Sequence, residues 1–325
     1  MPDRLAVGID IGGTKIAGGV VDEQGRILAR TRRRTPSTDP AAVVDAIAEI
    51  TEELAEGFAV SALGIGAAGF VDATGSTVMF SPHLAWRREP LRDAAARRTG
   101  LPVLVDNDAN AAGWAEWRFG AARGENEAVL VNLGTGIGGA IILHGTLYRG
   151  HDGMAGEFGH QQIVPDGLPC PCGNVGCWEQ YASGRALERR ARAAVAAGDP
   201  IAAELIGAAG RADDVDGSTV GLLARQGHPE AVAWLEDVGR WLGVGLANLA
   251  AALDPGVFVI GGGVGENGDL LLEPARSAFA AHLTGRGYRR EARIVAAHLG
   301  NDAGLVGAAD LARGQSSAPS SGQSR

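Results

Sequence analysis

At 325 residues, 46% of them hydrophobic and 21% charged, the chain is long enough for two domains with real cores. Its net charge of −9 argues against a general nucleic-acid or anionic-membrane binder. Residues 1 to 13 lack the charged-then-apolar pattern of a signal peptide, and no segment reaches the roughly 18 unbroken apolar residues of a membrane span, so the expected home is the cytoplasm.

In chain order, Leu5 to Asp10 reads as a buried strand and Ile16 to Val21 as a second, joined by Ile11-Gly12-Gly13-Thr14-Lys15 into a hairpin. The basic run Arg30 to Arg34 reads as the solvated end of a strand and is given no function. A helix opens at Asp39 or Pro40 and runs to about Glu56, Ser61 to Gly66 is a strand, and Glu89 to Arg98 is a short helix. Leu101 to Val105 delivers a strand into Asp106-Asn107-Asp108-Ala109-Asn110, which caps a helix through about Phe119. Ala128 to Leu133, the glycine turn from Gly134 to Gly139 and Ala140 to Leu143 repeat the strand, turn, strand order of the N-terminus. Two such units suggest two related domains facing each other across a cleft, each offering a glycine turn to a shared ligand. Beyond Ser183 the chain is mostly helical, with a long amphipathic stretch from Pro229 to Leu253, a strand at Val257 to Ile260, a helix near 269 to 284, a strand near 292 to 297, and a last helix from Asp302 to Ala312. Residues 314–325 have the composition of a disordered tail.

All three cysteines, Cys170, Cys172 and Cys177, lie within eight positions, with His160 ten residues upstream. Three thiolates and one imidazole match a closed tetrahedral zinc site, whose metal would hold a loop too rich in Gly and Pro to be held by packing. The alternatives are three ordinary cysteines, or a Cys172–Cys177 disulfide with one thiol over. Closing the loop would fix Glu157 and Glu179, and two carboxylates so held can accept hydrogen bonds from the vicinal hydroxyls of a polyol.

Gly134-Thr135-Gly136-Ile137-Gly138-Gly139 matches a bare GxGxxG pattern, but a strand follows it where a dinucleotide fold needs a helix, and Lys15 lacks the spacing of a P-loop. What remains is a pair of hairpin turns whose backbone N–H groups and threonine hydroxyls, Thr14 and Thr135, can grip phosphate oxygens. Each alone is equally consistent with a plain tight turn. Asp108, where a strand enters a helix, is placed to face an acceptor hydroxyl; the alternative is an ordinary N-cap aspartate.

Together with Asp10 and the strand-end glycines Gly261 to Gly263, these turns resemble the actin-like, hexokinase-like ATPase fold: α/β, ribonuclease H-like, two domains with an interdomain cleft. With Asn107-Asp108-Ala109-Asn110, Gly156-Glu157-Phe158-Gly159-His160 and the cysteine block through Trp178-Glu179, the sequence resembles sugar kinases of the ROK family, and within them the bacterial ATP-dependent glucokinases. The resemblance implies ATP with Mg2+, a structural Zn2+, and phosphorylation of D-glucose at the 6-hydroxyl with Asp108 as base. It implies that Asp10, Gly12, Gly13, Thr14, Lys15, Gly134, Thr135, Gly136, Gly261, Gly262 and Gly263 serve the nucleotide and its metal. It assigns the sugar to Asn107, Glu157, His160, Glu179 and the Gly69 turn, and zinc to His160, Cys170, Cys172 and Cys177. His83 stands where many relatives carry a sugar-contacting asparagine.

The corresponding domains are 1–118 with about 302–313, and 119–301 with the zinc loop; a homodimer or homotetramer is expected. A kinase for N-acetylmannosamine, fructose or mannose, and polyphosphate as donor, are the alternatives within the enzyme class. The family also includes repressors that carry a helix-turn-helix ahead of this body. Here the first phosphate turn begins by residue 12, which is expected to leave no room for one, and the presence of both Asp10 and Asp108 disfavours an idle sensor.

Overall fold

A computed structural model describes residues 4–82 and 84–315; His83 and residues 316–325 of the expected tail lie outside the described residues. Strand β1 (Leu5–Ile11) and β2 (Lys15–Val21) form the anticipated hairpin, and β3 (Ile27–Arg34) extends it as an edge strand. Two arginines of β3 are paired: Arg30 makes a bidentate contact with Asp302 at 2.7 Å, and Arg33 pairs with Glu53. Helix α1 (Pro40–Ala55) is capped by Asp39, which accepts the N–H groups of Ala41 and Ala42, with Pro40 in the first turn, where a missing N–H costs nothing. After β4 (Val60–Ala67) come β5 (Phe70–Val71), β6 (Val78–Phe80) and β7 (Arg87–Glu89), a small antiparallel sheet. The helix expected from Glu89 instead starts after this strand, as α2 (Leu91–Thr99), because Pro90 stands at the junction. Next are β8 (Val103–Asn107), two residues later than expected, α3 (Asp108–Phe119), β9 (Ala128–Leu133), β10 (Ile137–Leu143) and β11 (Thr146–Tyr148).

The helical half comprises α4 (Gly184–Ala197), α5 (Ala202–Ala209), α6 (Gly217–Arg225) and α7 (Pro229–Leu253). It is followed by β12 (Val257–Gly261), the one-turn α8 (Gly262–Gly265), α9 (Asp269–His282), β13 (Arg293–Ala296) and α10 (Ala303–Gln315), which runs two residues into the expected tail. Among the described residues no helix is long and apolar enough to cross a membrane.

The described residues divide into two compact units, one of residues 4–82, 84–124, 140–156 and 299–315, the other of 125–139 and 157–298. The first holds a sheet of order β3-β2-β1-β4-β8, in which β1, β4 and β8 run parallel. Side chains alternate across it, as the strand period of two requires. Val7, Ile9, Ile11, Leu63 and Ile65 join Val43, Ile47, Ile50 and Leu54 of α1 and Leu91 of α2 in one core. Ala6 and Ala62 face the other way, into a core with Ala115 of α3 and Leu305, Val306 and Ala309 of α10. That second face is made of small residues because α10 lies directly on the strand backbone: a Cβ at Gly8 would collide with the carbonyl oxygen of Leu305, and one at Gly64 with that of Ala308.

In the second unit β12 runs parallel to β9 on one side and to β13 on the other. Phe258 of β12 meets Phe279 of α9 edge to face with ring centroids 5.9 Å apart. Trp178, beside the last cysteine, is fully buried, donates from its indole N–H to the Trp241 carbonyl at 2.8 Å, and lies against Gly245 of α7. Burying a side chain of this size contributes about 2–3 kcal/mol, so one residue ties the cysteine loop to the longest helix.

The seating of α10 makes Gly64→Ala a strong test of the fold. The added methyl forces helix and sheet apart and is expected to lower stability by about 3 kcal/mol. A urea titration would show this as a lower midpoint with an unchanged slope.

Candidate active site

Strand register brings together the acidic residues of the first unit. Asp10 of β1 pairs with Gly66 of β4, which pairs with Asp106 of β8; one step on, Ile11, Ala67 and Asn107 form the next row. These rows lie at the C-terminal ends of parallel strands, where open α/β sheets bind ligands. Asp106 is buried and fully committed: Oδ1 accepts the Asn107 N–H at 2.8 Å and the Asn110 amide at 2.9 Å, while Oδ2 accepts Arg149 Nε and Nη2 at 2.9 and 2.6 Å. Asn107 is the N-cap of α3, its Oδ1 accepting the N–H groups of Ala109 and Asn110 at 2.9 and 3.1 Å, and its Nδ2 donates to the Gly69 carbonyl at 3.0 Å.

Asp108 is therefore the first residue of the helix and not its cap, and the ordinary reading of it as a capping aspartate fails. Burial raises its carboxyl from 3.8 to about 6, against hydrogen bonds from the Ala109 and Asp108 N–H groups and from Asn107, which lower it. Asp10 is raised to about 6 as well, first by burial and then by the charge of Asp108, with Lys15 opposing. Two neighbouring acids whose ionised forms are both disfavoured make a site that a divalent cation relieves, so the residues fit the magnesium expected with ATP. The turn between β1 and β2 is closed by Gly12 N–H to the Lys15 carbonyl at 3.0 Å. It is tied down by Thr35, whose hydroxyl donates to the Gly12 carbonyl at 2.8 Å and whose N–H donates to the Thr14 carbonyl at 3.1 Å. Gly13 lies within the same turn.

In the second unit, the turn between β9 and β10 is shorter than expected, Gly134 to Gly136, because β10 already begins at Ile137. The carbonyls of Gly134 and Thr135 accept the N–H groups of Gly184 and Arg185, in the first turn of α4, at 2.9 and 3.2 Å. Gly262, with φ of 79°, packs against the Leu133 backbone, so Gly261, Gly262 and Gly263 stand beside the Gly134 turn. A Cβ at Gly136 would strike the Glu179 carboxylate, which brings that proposed sugar ligand against the same turn.

Cys170, Cys172, Cys177 and His160 offer ligand atoms that all lie within 4.8 Å of one another, and all three cysteines are free thiols. Cys172 Sγ and Cys177 Sγ are 3.7 Å apart, as are Cys170 Sγ and His160 Nδ1. Tetrahedral zinc with its usual bond lengths sets these edges at about 3.6–3.8 Å, so the donor set fits zinc and not a disulfide. Burial, followed by hydrogen bonding with Cys172 and Cys170, pushes the Cys177 thiol up to about 12. A thiol so placed becomes a thiolate at neutral pH only beside a compensating cation. Nδ1 of His160 faces the cysteines, which turns Nε2 away from them. Glu179 Oε1 is 3.3 Å from Cys170 Sγ and 4.0 Å from His160 Nδ1, and Glu157 immediately precedes the short helical turn Phe158–His160.

Sequence reasoning missed four contributors. Thr35 and Arg149 are remote in sequence from the groups they hold. Gly304 of α10 lies against the Asp10 carboxylate, with a Cβ there only 3.2 Å from Asp10 Cγ. Ser183 caps α4, and its hydroxyl donates to the Glu179 carbonyl at 2.6 Å. Among these only Ser183, immediately before a helical stretch, carried a local signal.

A family model described as the ROK family matches residues 6–315. The chain belongs to the ROK family. It is 51% identical to a glucokinase of Streptomyces coelicolor over 95% of this chain and 98% of that one. The crystal structure of a ROK family glucokinase from Streptomyces griseus in complex with glucose and AMPPNP superposes with a TM-score of 0.87 at 52% identity, covering 95% of this chain and 99% of that one. A ROK hexokinase from Thermus thermophilus superposes with a TM-score of 0.78 at 36% identity, over 96% and 99%. The α/β architecture is accordingly the hexokinase-like ATPase fold of that family.

Purified protein is expected to hold about one zinc per chain by elemental analysis, and Cys172→Ala to hold none. Unchanged metal in that variant would reject the zinc assignment.

Proposed function

We propose that the protein phosphorylates D-glucose at its 6-hydroxyl with ATP, giving glucose 6-phosphate and ADP. The observation that carries the chemistry is Asp108: a carboxylate at the head of α3, spared from capping by Asn107 and raised to about 6. The choice of substrate is supported by the identity of about one half, over nearly the full length, to two Streptomyces glucokinases, one of them solved with glucose and a nucleotide analogue.

Asp108 accepts the proton of the 6-hydroxyl as that oxygen bonds to the γ-phosphorus and the bond to the β-phosphate oxygen breaks. A base whose pKa is near neutrality takes that proton more readily than an ordinary aspartate, and a loose transition state needs it only late. Asn107, Glu157, His160 through Nε2, Glu179 and the Gly69 turn hold the sugar hydroxyls. The Gly12 to Lys15 and Gly134 to Gly136 turns hold phosphates, and Gly261 to Gly263 lie beside the adenosine. Asp10 would hold the magnesium ion, which would supply charge neutralisation to the phosphates. His160, Cys170, Cys172 and Cys177 would hold the zinc, which would keep the sugar-binding loop in shape. We also infer a cytoplasmic home, in keeping with thiols that must stay reduced to bind metal, and the homo-oligomeric state that the family resemblance implies.

Coupled ADP release on glucose, mannose, fructose and N-acetylmannosamine tests the substrate: kcat/KM for glucose is expected to exceed the others, and preference for another hexose would overturn it. Asp108→Ala is expected to lower kcat by about 10²–10⁴-fold while glucose binding by calorimetry is retained; loss of both would make Asp108 structural. The base works only when ionised. Because burial raises its pKa to about 6, kcat/KM is expected to fall as pH drops through about 6, by about tenfold per unit below it.

A further inference from the structure

One cavity lies apart from the residues assigned to the reaction. It has a volume of about 780 Å³ and lies wholly within the first unit, between α3, β11 and the end of α10. Its floor is a pair of indoles, Trp114 and Trp117, with ring centroids 4.8 Å apart and planes tilted by 42°. Around them stand four guanidinium groups, Arg4, Arg118, Arg149 and Arg313, against two lining acids, Glu23 and Asp310. Arg118 Nε and Arg313 Nη2 converge on the one carboxylate of Asp310, at 3.0 and 2.7 Å, and Trp114 Nε1 donates to it at 2.8 Å. The wall is thus cationic and its floor aromatic in a protein whose net charge is −9.

We propose that this cavity binds a sugar phosphate. Guanidinium groups favour phosphate oxygens over a neutral polyol. Two indoles tilted against each other leave no parallel slot for a flat base, whereas the C–H face of a pyranose needs only one indole face. The cavity's volume suits a ligand of that size.

The site has a route to the reacting end of α3. Arg149 lines the cavity, and its Nε and Nη2 hold Asp106, which in turn holds the Asn107 N–H and the Asn110 amide. A phosphate that draws Arg149 into the cavity loosens the clamp that sets the residue before Asp108. Occupancy is therefore read as inhibition that glucose does not relieve.

The probe is glucose 6-phosphate, titrated into the full-length zinc-loaded protein by calorimetry with glucose saturating, so that the product's own place at the active site is blocked. We expect one equivalent bound, and weakening by about tenfold in both Arg118→Gln and Trp117→Leu, neither of which belongs to the catalytic machinery. In initial-rate assays the wild type should show inhibition by glucose 6-phosphate that persists at saturating glucose, and Arg118→Gln should lose it. Inhibition relieved by glucose, or binding unchanged in both variants, would place the ligand at the active site and overturn the proposal. Inorganic phosphate binding as tightly as glucose 6-phosphate would mean an anion hole without a sugar subsite, and would overturn it too. The binding measurement needs no turnover, so a protein that binds glucose 6-phosphate here but phosphorylates no sugar would sink the proposed reaction and leave this site standing.

Discussion

The structure of the first unit depends on one close approach, that of α10 to the backbone of β1 and β4. A helix normally rests on a sheet through two layers of side chains. Here the strand residues beneath it are Ala6, Gly8, Ala62 and Gly64, so helix carbonyls come within reach of the strands themselves. Two consequences follow from this one economy of volume. The last described helix of the chain is held against its first strand, which makes the unit a closure of sequence ends. And Gly304 in its first turn is delivered to the Asp10 carboxylate, where the partial positive charge of a helix N-terminus favours an anion. Packing and site are here the same contact.

That arrangement carries a cost in the unliganded protein. Asp10 and Asp108 each have a folded pKa of about 6 against an ordinary 3.8. An acid that binds its proton more tightly when folded stabilises the fold least when ionised, so the pair's contribution falls as pH rises from about 3.8 to about 6 and stays unfavourable above that. A cation bound at Asp10 reverses the sign by favouring the ionised forms. The stability given up at neutral pH is the same free energy that makes the site receptive to magnesium and leaves Asp108 basic enough to accept a proton.

Much of this was legible in the sequence, for local reasons. Strands announce themselves by apolar runs between glycine turns, and the hairpins at Gly12 and Gly134 emerged where the pattern put them. The cysteine set was legible because thiols this close in a Gly- and Pro-rich loop have few other uses. The boundaries that shifted lie where side-chain type is uninformative: Arg87-Arg88-Glu89 is polar throughout, yet it forms a strand with Arg88 at a positive φ of 54°. In Asp106-Asn107-Asp108 any of three residues could cap α3. The choice of Asn107 was not legible because it depends on Arg149, remote in sequence, claiming Asp106, and on the Gly69 carbonyl claiming the Asn107 amide. Gly304 was invisible for the same reason, since nothing near it in sequence refers to Asp10.

In the second unit the decisive link is between the cysteine loop and the Gly134 turn. Glu179 has one carboxylate oxygen beside Cys170 and the other filling the space that a side chain at Gly136 would take. The Gly134 and Thr135 carbonyls are in turn drawn to the first turn of α4, which Ser183 caps while its hydroxyl holds the Glu179 carbonyl. Glu179 is thus fixed at its backbone by the helix that orients the turn, and at its side chain between the turn and the thiols. Side-chain packing could not do this work, since Trp178 is the loop's deep anchor and its neighbours Gly173, Asn174 and Val175 are exposed. A metal supplies stiffness where hydrophobic burial is lacking, and it does so through bonds whose lengths do not relax. The glycine at 136 thus leaves room for the Glu179 carboxylate, whose place is set by the loop that the thiols close.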